Sequence, residues 1–308
     1  MPRAARVKSP DSIYHIMCRS ISELNLFRDD DDKIYYLSII KKYSDMNNCK
    51  VYAYCLMDNH LHLQFDPQGY DISRFMHSVN TSYVRYYNKK YARHGHVFQE
   101  RFESRVLSSD SYNLAVSAYI HNNPKDLDQY CDKVHLYPFS SYGIYLGIRK
   151  DTMKLIDKGF ILGLMNAKNE ESALNCYIEF VERQRKNIPD GGIRKYLATV
   201  PINEYRSERK VILREHTAQK LIAYISEQLL IPTESIAFSG KRSVMEFRAL
   251  CSYAMRLLCG MTYKQICGYL YNITASGCSR LCQKGYEFVK QNRNYRRIIN
   301  NLMCMPVN

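Results

Sequence analysis

Apolar and polar positions alternate with a period of two from Ser12 to Arg19, with Ile13, His15 and Met17 on one side and Tyr14, Ile16 and Cys18 on the other. That period predicts a strand. Ile34–Met46 switches to helical spacing, and Asp29-Asp30-Asp31-Asp32 before it places carboxylates at the positive end of the helix dipole. Lys50–Met57 and His60–Phe65 read as two more strands, joined by an Asp58-Asn59 turn. Phe75, Val79, Ser82/Tyr83 and Tyr86 carry a helix over Ile72–Tyr91, and His96–Leu107 returns to strand character. Asp110 is placed to cap a helix running to about Asn122, where Pro124 stops it. The order β-α-β-β-α-β-α predicts a ferredoxin-like α+β domain, an antiparallel-rich sheet with helices on one face.

After about Gly147 the spacing is helical, and Ile188-Pro189-Asp190-Gly191-Gly192 is the clearest linker. Ser243–Cys259 puts Phe247, Leu250/Cys251, Ala254 and Leu257/Leu258 on one helical face, and Gly260-Met261 breaks it. Thr262 is placed to cap Tyr263–Leu270, and Asn272–Thr274 turns the chain into a helix from Ala275 to about Lys290. Two helices on a short turn, the second bearing Ser276, Ser279, Arg280, Gln283 and Lys284, match a helix-turn-helix or a plain three-helix bundle. The expected division is a first domain over 1–147, a helical extension and linker over 148–240, and a basic helix-turn-helix region over 241–308.

Charge sharpens this picture. The chain of 308 residues carries a formal +14, and residues 241–308 hold 11 Lys/Arg against 2 Asp/Glu. A cationic surface so concentrated points to a polyanion, and nucleic acid fits it best. Lys89, Lys90, Arg93, Arg101 and Arg105 are candidate phosphate contacts in the first domain. Ser279, Arg280 and Lys284 are the candidates in the second, with Arg293, Arg296 and Arg297 as an extending tail. Eleven cysteines without a Cys-x-x-Cys pair read as core filling and reduced thiols, and the basic start Met1–Lys8 lacks an apolar leader. The expected setting is cytoplasmic, and no apolar run is long enough to predict a membrane span.

The candidate chemistry lies in His60-Leu61-His62. On a strand, residues i and i+2 share a face, so both imidazoles can converge on one cation. His60, His62 and Gln64 form a wholly polar row that needs partners, which a metal or hydrogen bonds can supply. Tyr119 and Asn123 stand at i and i+4 at the end of the helix that starts at Asp110 and so share its face. A phenol with a pKa near 10 is a weak nucleophile unless a cation or base assists it. Imidazole with amide oxygen suits Mg2+ or Mn2+, and the same residues also suit ordinary packing.

Over about residues 1–147 the chain resembles the HUH single-tyrosine transposases, of the REP-associated and IS200-like group. The resemblance rests on Tyr14-His15-Ile16, Phe27-Arg28-Asp29, Tyr54–His62, Gly95–Phe102, Tyr119-Ile120-His121-Asn122-Asn123-Pro124 and Tyr137–Tyr142, in that order. It implies the HUH nuclease palm, with His60 and His62 as metal ligands, Asn123 completing the metal shell, and Tyr119 as nucleophile. Asp58 stands where a proline is common, and Lys125-Asp126 replaces a more usual Val-Arg; neither removes a catalytic group. The implied activity is metal-dependent cleavage and rejoining of single-stranded DNA near hairpins through a 5′-phosphotyrosine at Tyr119. Oligomeric state stays open between monomer and homodimer. Residues 240–292 more distantly resemble the C-terminal DNA-binding domain of the initiator DnaA, without its Gly-Arg-Asp-His signature, which implies duplex DNA as a second partner. The competing expectations are a non-catalytic, sequence-specific DNA-binding regulator on the same scaffold and a hydrolase that forms no covalent intermediate. For His94, His96 and His121 a structural or solvent-facing place is expected.

Overall fold

The computed structural model describes residues 12–21, 24–187, 214, 216–238 and 240–305. The basic Met1–Lys8 arm and the Ile188–Gly192 linker lie outside the described residues. Two compact units divide the chain, one of Met1–Gln68 with Ile72–Lys210, the other of Gly69–Asp71 with Val211–Asn308.

The first unit runs β1 (Ile13–Arg19), α1 (Asp30–Asn47), β2 (Lys50–Leu56), β3 (His60–Asp66), α2 (Ile72–Lys90), β4 (Glu103–Leu107) and α3 (Asp110–Asn122). Among the described residues three further α-helices follow: α4 (Tyr142–Tyr145), α5 (Gly159–Gly163) and α6 (Glu170–Asn187). The four strands form one sheet in the order β2-β3-β1-β4, antiparallel at every step. The Asp29 carboxylate starts α1 by accepting the Asp32 N–H at 3.0 Å. The start of α3 differs from expectation. Ser109 is its cap, accepting the Tyr112 N–H at 3.2 Å, and Asp110 occupies the first turn, where its charge favours the dipole.

Helices cover both faces of the sheet, not one. On the side of Phe65 and Cys18, the Phe65 ring lies 4.2 Å from that of Phe75 on α2, and the Asn80 amide donates to Cys18 Sγ. On the other side the Gln64 amide donates to Asn113 on α3, at 3.1 Å to its carbonyl and 3.0 Å to its side-chain oxygen. Adjacent residues of a strand point to opposite faces, so α2 and α3 sandwich the sheet. The polar row of β3 is therefore a buried layer beneath α3.

The expected strand over His96–Leu107 forms only from Glu103 onward. Between the pairs Met17↔Glu103 and Ser20↔Phe98, β1 contributes two residues and the facing chain four, Gln99–Phe102. The surplus leaves the ladder as a bulge, which carries Arg101 outward.

The second unit is helical: α7 (Ala218–Leu229), α8 (Arg242–Leu258), α9 (Tyr263–Leu270), α10 (Ala275–Gln291) and α11 (Arg293–Cys304). Its core gathers Leu221, Ile225, Phe247, Leu250, Leu258, Ile266 and Ile298, with Cys251, Cys278 and Cys282 as small apolar fillers. Thr262 caps α9 in a reciprocal box with Gln265, and Thr274 caps α10 through the Gly277 N–H at 3.1 Å. Tyr271 and Asn272 turn the chain between them at φ of 50° and 43°. The stretch expected as a basic tail is a helix, α11, because Ile298, Ile299 and Leu302 recur at helical spacing and are buried. Among the described residues no helix is long and apolar enough to cross a membrane.

Gly285 sets the approach of α10 to α8, since a Cβ there would overlap the Ala249 carbonyl. Gly285→Ala is expected to lower the stability of this unit by about 1–3 kcal/mol in urea unfolding, the usual range for overpacking. Gly268, exposed on α9 with open space around its Cβ position, is the control. Gly268→Ala should stabilise by roughly 0.5–1 kcal/mol, and equal effects of the two changes would contradict this packing.

Candidate active site

The β1–β3 register places Met17 opposite His62 and Arg19 opposite His60, so these side chains share the face beneath α3. His62 is buried and His60 half-buried. Their rings stand 5.1 Å apart between centroids, nearly perpendicular. From α3, the Tyr119 ring meets His62 edge-on at 5.4 Å. Asn123, the C-terminal cap of α3, turns its Oδ1 to 3.2 Å from His60 Nε2. Helical backbone persists through Asn123, so the four-residue step from Tyr119 does present both on one face. All four candidate residues, His60, His62, Tyr119 and Asn123, thus meet in one place.

The turn that delivers His60 is pinned by Asp58. The Lys33 ammonium, itself buried, donates to Asp58 at 2.7 Å, and the Asp58 carbonyl accepts the Phe27 N–H. Lys33 also lies over the Phe139 ring at 4.9 Å. An ion pair here does the work of stiffening the turn. The next residue, Asn59, takes its own role: its Oδ1 lies 2.6 Å from His60 Nδ1.

These contacts bear on whether a cation fits. Burial holds the His60 pKa below its ordinary value, so the ring is neutral near pH 7 and carries one N–H. Both ring nitrogens nevertheless face amide oxygens, Nδ1 toward Asn59 and Nε2 toward Asn123. With the proton on the shorter contact, the lone pairs of Nε2 and Asn123 Oδ1 oppose each other. Two ligands about 2.1 Å from one ion in adjacent octahedral positions stand about 3 Å apart, close to this spacing. The donor set fits a divalent cation. Among the described residues no group of three or more His, Cys, Asp or Glu is arranged as a metal site, so the set here is two imidazoles and an amide.

One member of the cluster was not anticipated. His15, on the same face of β1, puts Nε2 3.0 Å from His62 Nδ1, and its ring meets Tyr119 edge-on at 6.2 Å. Burial, assisted by the nearby Arg105 guanidinium, lowers the His15 pKa to about 3. The period-two pattern of Ile13, His15 and Met17 held the signal, but the partner strand could not be read from it.

The candidate DNA contacts scatter more widely. Lys90 is engaged internally, at 2.8 Å from both Asp29 and Asp32, and Arg93 packs its guanidinium 5.9 Å from the Tyr87 ring. Lys89 is exposed. Arg101, with Arg85, lines a cleft of about 850 Å³ between α2 and residues 96–102, floored by Met76, Val97 and Phe102. Arg105 pairs with His15 across the β1–β4 ladder, close to the cluster. On α10, Arg280 and Lys284 are exposed and Ser279 half-buried. His94 and His96 are exposed, whereas His121 is fully buried.

Residues 8–123 match the family model described as "Transposase IS200 like". No curated protein matches the chain. One solved structure, a REP-associated tyrosine transposase bound to a REP hairpin, aligns at 14% identity and a TM-score of 0.41, over 48% of this chain and 86% of the other.

Within the first unit, His121 secures the helix that bears Tyr119. Its Nε2 lies 2.8 Å from Ser141 Oγ and its Nδ1 2.8 Å from the Tyr177 hydroxyl of α6, which donates onward to Ser117. Burial lowers its pKa to about 3, against 6.5 in an unfolded chain. Between those values the unfolded chain binds the proton and the folded one does not, so stability falls as pH drops from about 6.5 toward 3. The urea midpoint of the wild type should decline across that window, and His121→Gln should flatten the slope. A midpoint unchanged from pH 6.5 to 4.5 would contradict a neutral buried His121.

Proposed function

We propose that this protein is a transposase that nicks and rejoins single-stranded DNA through Tyr119, with a divalent cation, Mg2+ or Mn2+, held by His60, His62 and Asn123. The observation that carries the reading is the convergence of two imidazole rings, one amide oxygen and one tyrosine from β3 and α3 on a single face. When bound, the cation supplies Lewis-acid stabilisation of charge on the scissile phosphate and the departing oxygen. The Tyr119 oxygen attacks the phosphorus, the P–O3′ bond breaks, and a 5′-phosphotyrosine and a free 3′-hydroxyl result. The phenol loses its proton to solvent, and the departing 3′-oxygen takes one up. Attack by another 3′-hydroxyl reverses the step and joins strands, with the phosphodiester bond energy conserved throughout.

His60 is turned toward Asn123 by the pinned Asp58-Asn59 turn, which limits the motion available to the site. Edge-on packing against His62 aims the Tyr119 ring at the same place. Arg19 and Arg105, on the same face, add positive charge where a phosphodiester must dock. The cleft bearing Arg85 and Arg101 gives the strand a second cationic contact.

A labelled, hairpin-flanked single strand incubated with Mn2+ should yield a protein–DNA adduct that survives denaturation. Tyr119→Phe and a chelator should each abolish it. Cut product that persists with Tyr119→Phe would instead support a hydrolase, and tight cognate binding without cleavage would support a regulator.

In the second unit α9 and α10 form the helix-turn-helix that would seat on duplex DNA, with α10 as the reading helix. Its exposed Arg280 and Lys284 follow the cap at Thr274, where base edges or phosphates would be met. Arg280→Ala and Lys284→Ala should each weaken duplex binding and reduce the salt slope by about 1. Unchanged binding and slope in the double variant would remove α10 from the duplex interface.

A further inference from the structure

Nothing in the donor set itself decides which nitrogen of His62 faces the cation. A neutral imidazole has one protonated and one bare nitrogen, and only the bare one can bind a metal. His62 Nδ1 is taken up by His15 Nε2 at 3.0 Å, and the two ring planes are nearly parallel, 12° apart. That arrangement admits two proton placements. If His15 Nε2–H donates, His62 carries its proton on Nε2 and is closed to a cation. If His62 Nδ1–H donates, Nε2 is bare and open, and His15 holds its own proton on Nδ1.

His60 shows the open arrangement already. Both of its nitrogens face oxygens that can only accept; with the proton on the shorter contact, Nδ1 to Asn59 Oδ1 at 2.6 Å, the lone pair lies on Nε2. The His15 nitrogen is ambivalent where the Asn59 oxygen is not. Both Nδ1 atoms of the pair are thus anchored from behind, one by a fixed acceptor and one by a switchable one.

We infer that His15 is a positioning residue for the site: by accepting the His62 Nδ1 proton it leaves Nε2 bare to bind the cation. The inference rests on the metal reading above. His15 touches neither the cation nor the strand, so its effect is exerted through His62 and through its edge contact with Tyr119. Outer partners of metal-bound histidines commonly change affinity by 10- to 100-fold. A carboxylate or carbonyl in this place could only accept, whereas the imidazole accepts from His62 only when its own proton lies on Nδ1.

The test uses the full-length protein and reads Mn2+ binding by the electron paramagnetic resonance of free Mn2+. His15→Leu, which keeps bulk and removes the acceptor, should raise the Mn2+ Kd by about 10- to 100-fold. His15→Gln, whose amide oxygen can accept from His62, should recover most of that loss, and a merely space-filling role would not produce such a rescue. In histidine-labelled wild type, 15N spectra should place the His62 proton on Nδ1 when Mg2+ is bound. Unchanged Mn2+ affinity in a folded His15→Leu, or a His62 proton on Nε2 in the Mg2+ form, would overturn the proposal while leaving the metal site standing. If His15→Leu fails to fold, the 15N spectrum and His15→Gln decide the matter alone: a proton on Nδ1 with near-native affinity supports it, and the reverse overturns it. Wild type that takes up no Mn2+ would overturn the metal reading and this inference with it.

Discussion

With Met17 paired to His62 and Arg19 to His60, the β1–β3 ladder turns every second side chain of its two central strands toward α3. A sheet covered on both faces ordinarily fills its central strands with apolar residues. Here one face does so, through Leu61, Leu63 and Phe65, while the other buries His15, His62 and Gln64. A one-residue slip of the register would exchange these faces, exposing the histidines to α1 and α2 and pressing leucines against Tyr119. The apolar face therefore fixes the register, and the register assembles the polar site.

A buried polar row is costly unless each member finds a partner. Gln64 spends its amide N–H groups on Asn113, which ties β3 to the first turn of α3. His62 takes His15, and His60 takes Asn59. At the far end of α3, His121 engages Ser141 and Tyr177. The helix bearing Tyr119 is thus held at both ends by polar contacts with defined geometry. On the proposed reading a phenol must meet a phosphate to within an ångström, and such anchoring serves that placement.

Much of this was legible in the sequence because it lies in local periods. Strands β1, β2 and β3 and helices α1 and α2 begin and end within a residue or two of their expected bounds, apart from the acidic first turn of α1. His-x-His on a strand and Tyr-x-x-x-Asn on a helix state their own geometry. What was hidden depends on pairing between distant segments. The His15–His62 contact spans 47 residues, and Lys33–Asp58 joins a helix to a turn 25 residues on. The His96–Phe102 stretch alternates like a strand, but β1 offers too few residues to pair with it. Lys90 looked like a surface cation, yet its charge is answered by two aspartates that the sequence alone gave no reason to place there. α11 was masked by its arginines, although Ile298, Ile299 and Leu302 carried the helical signal.

The central claim is that β3 and α3 together hold one divalent cation within reach of Tyr119. Crystals of the full chain soaked in Mn2+ and measured for anomalous scattering test it most directly. The account predicts one strong peak in contact with His60 Nε2, His62 Nε2 and Asn123 Oδ1, with the Tyr119 hydroxyl facing the same space. A peak elsewhere, or none at a concentration that supports cleavage, would contradict it.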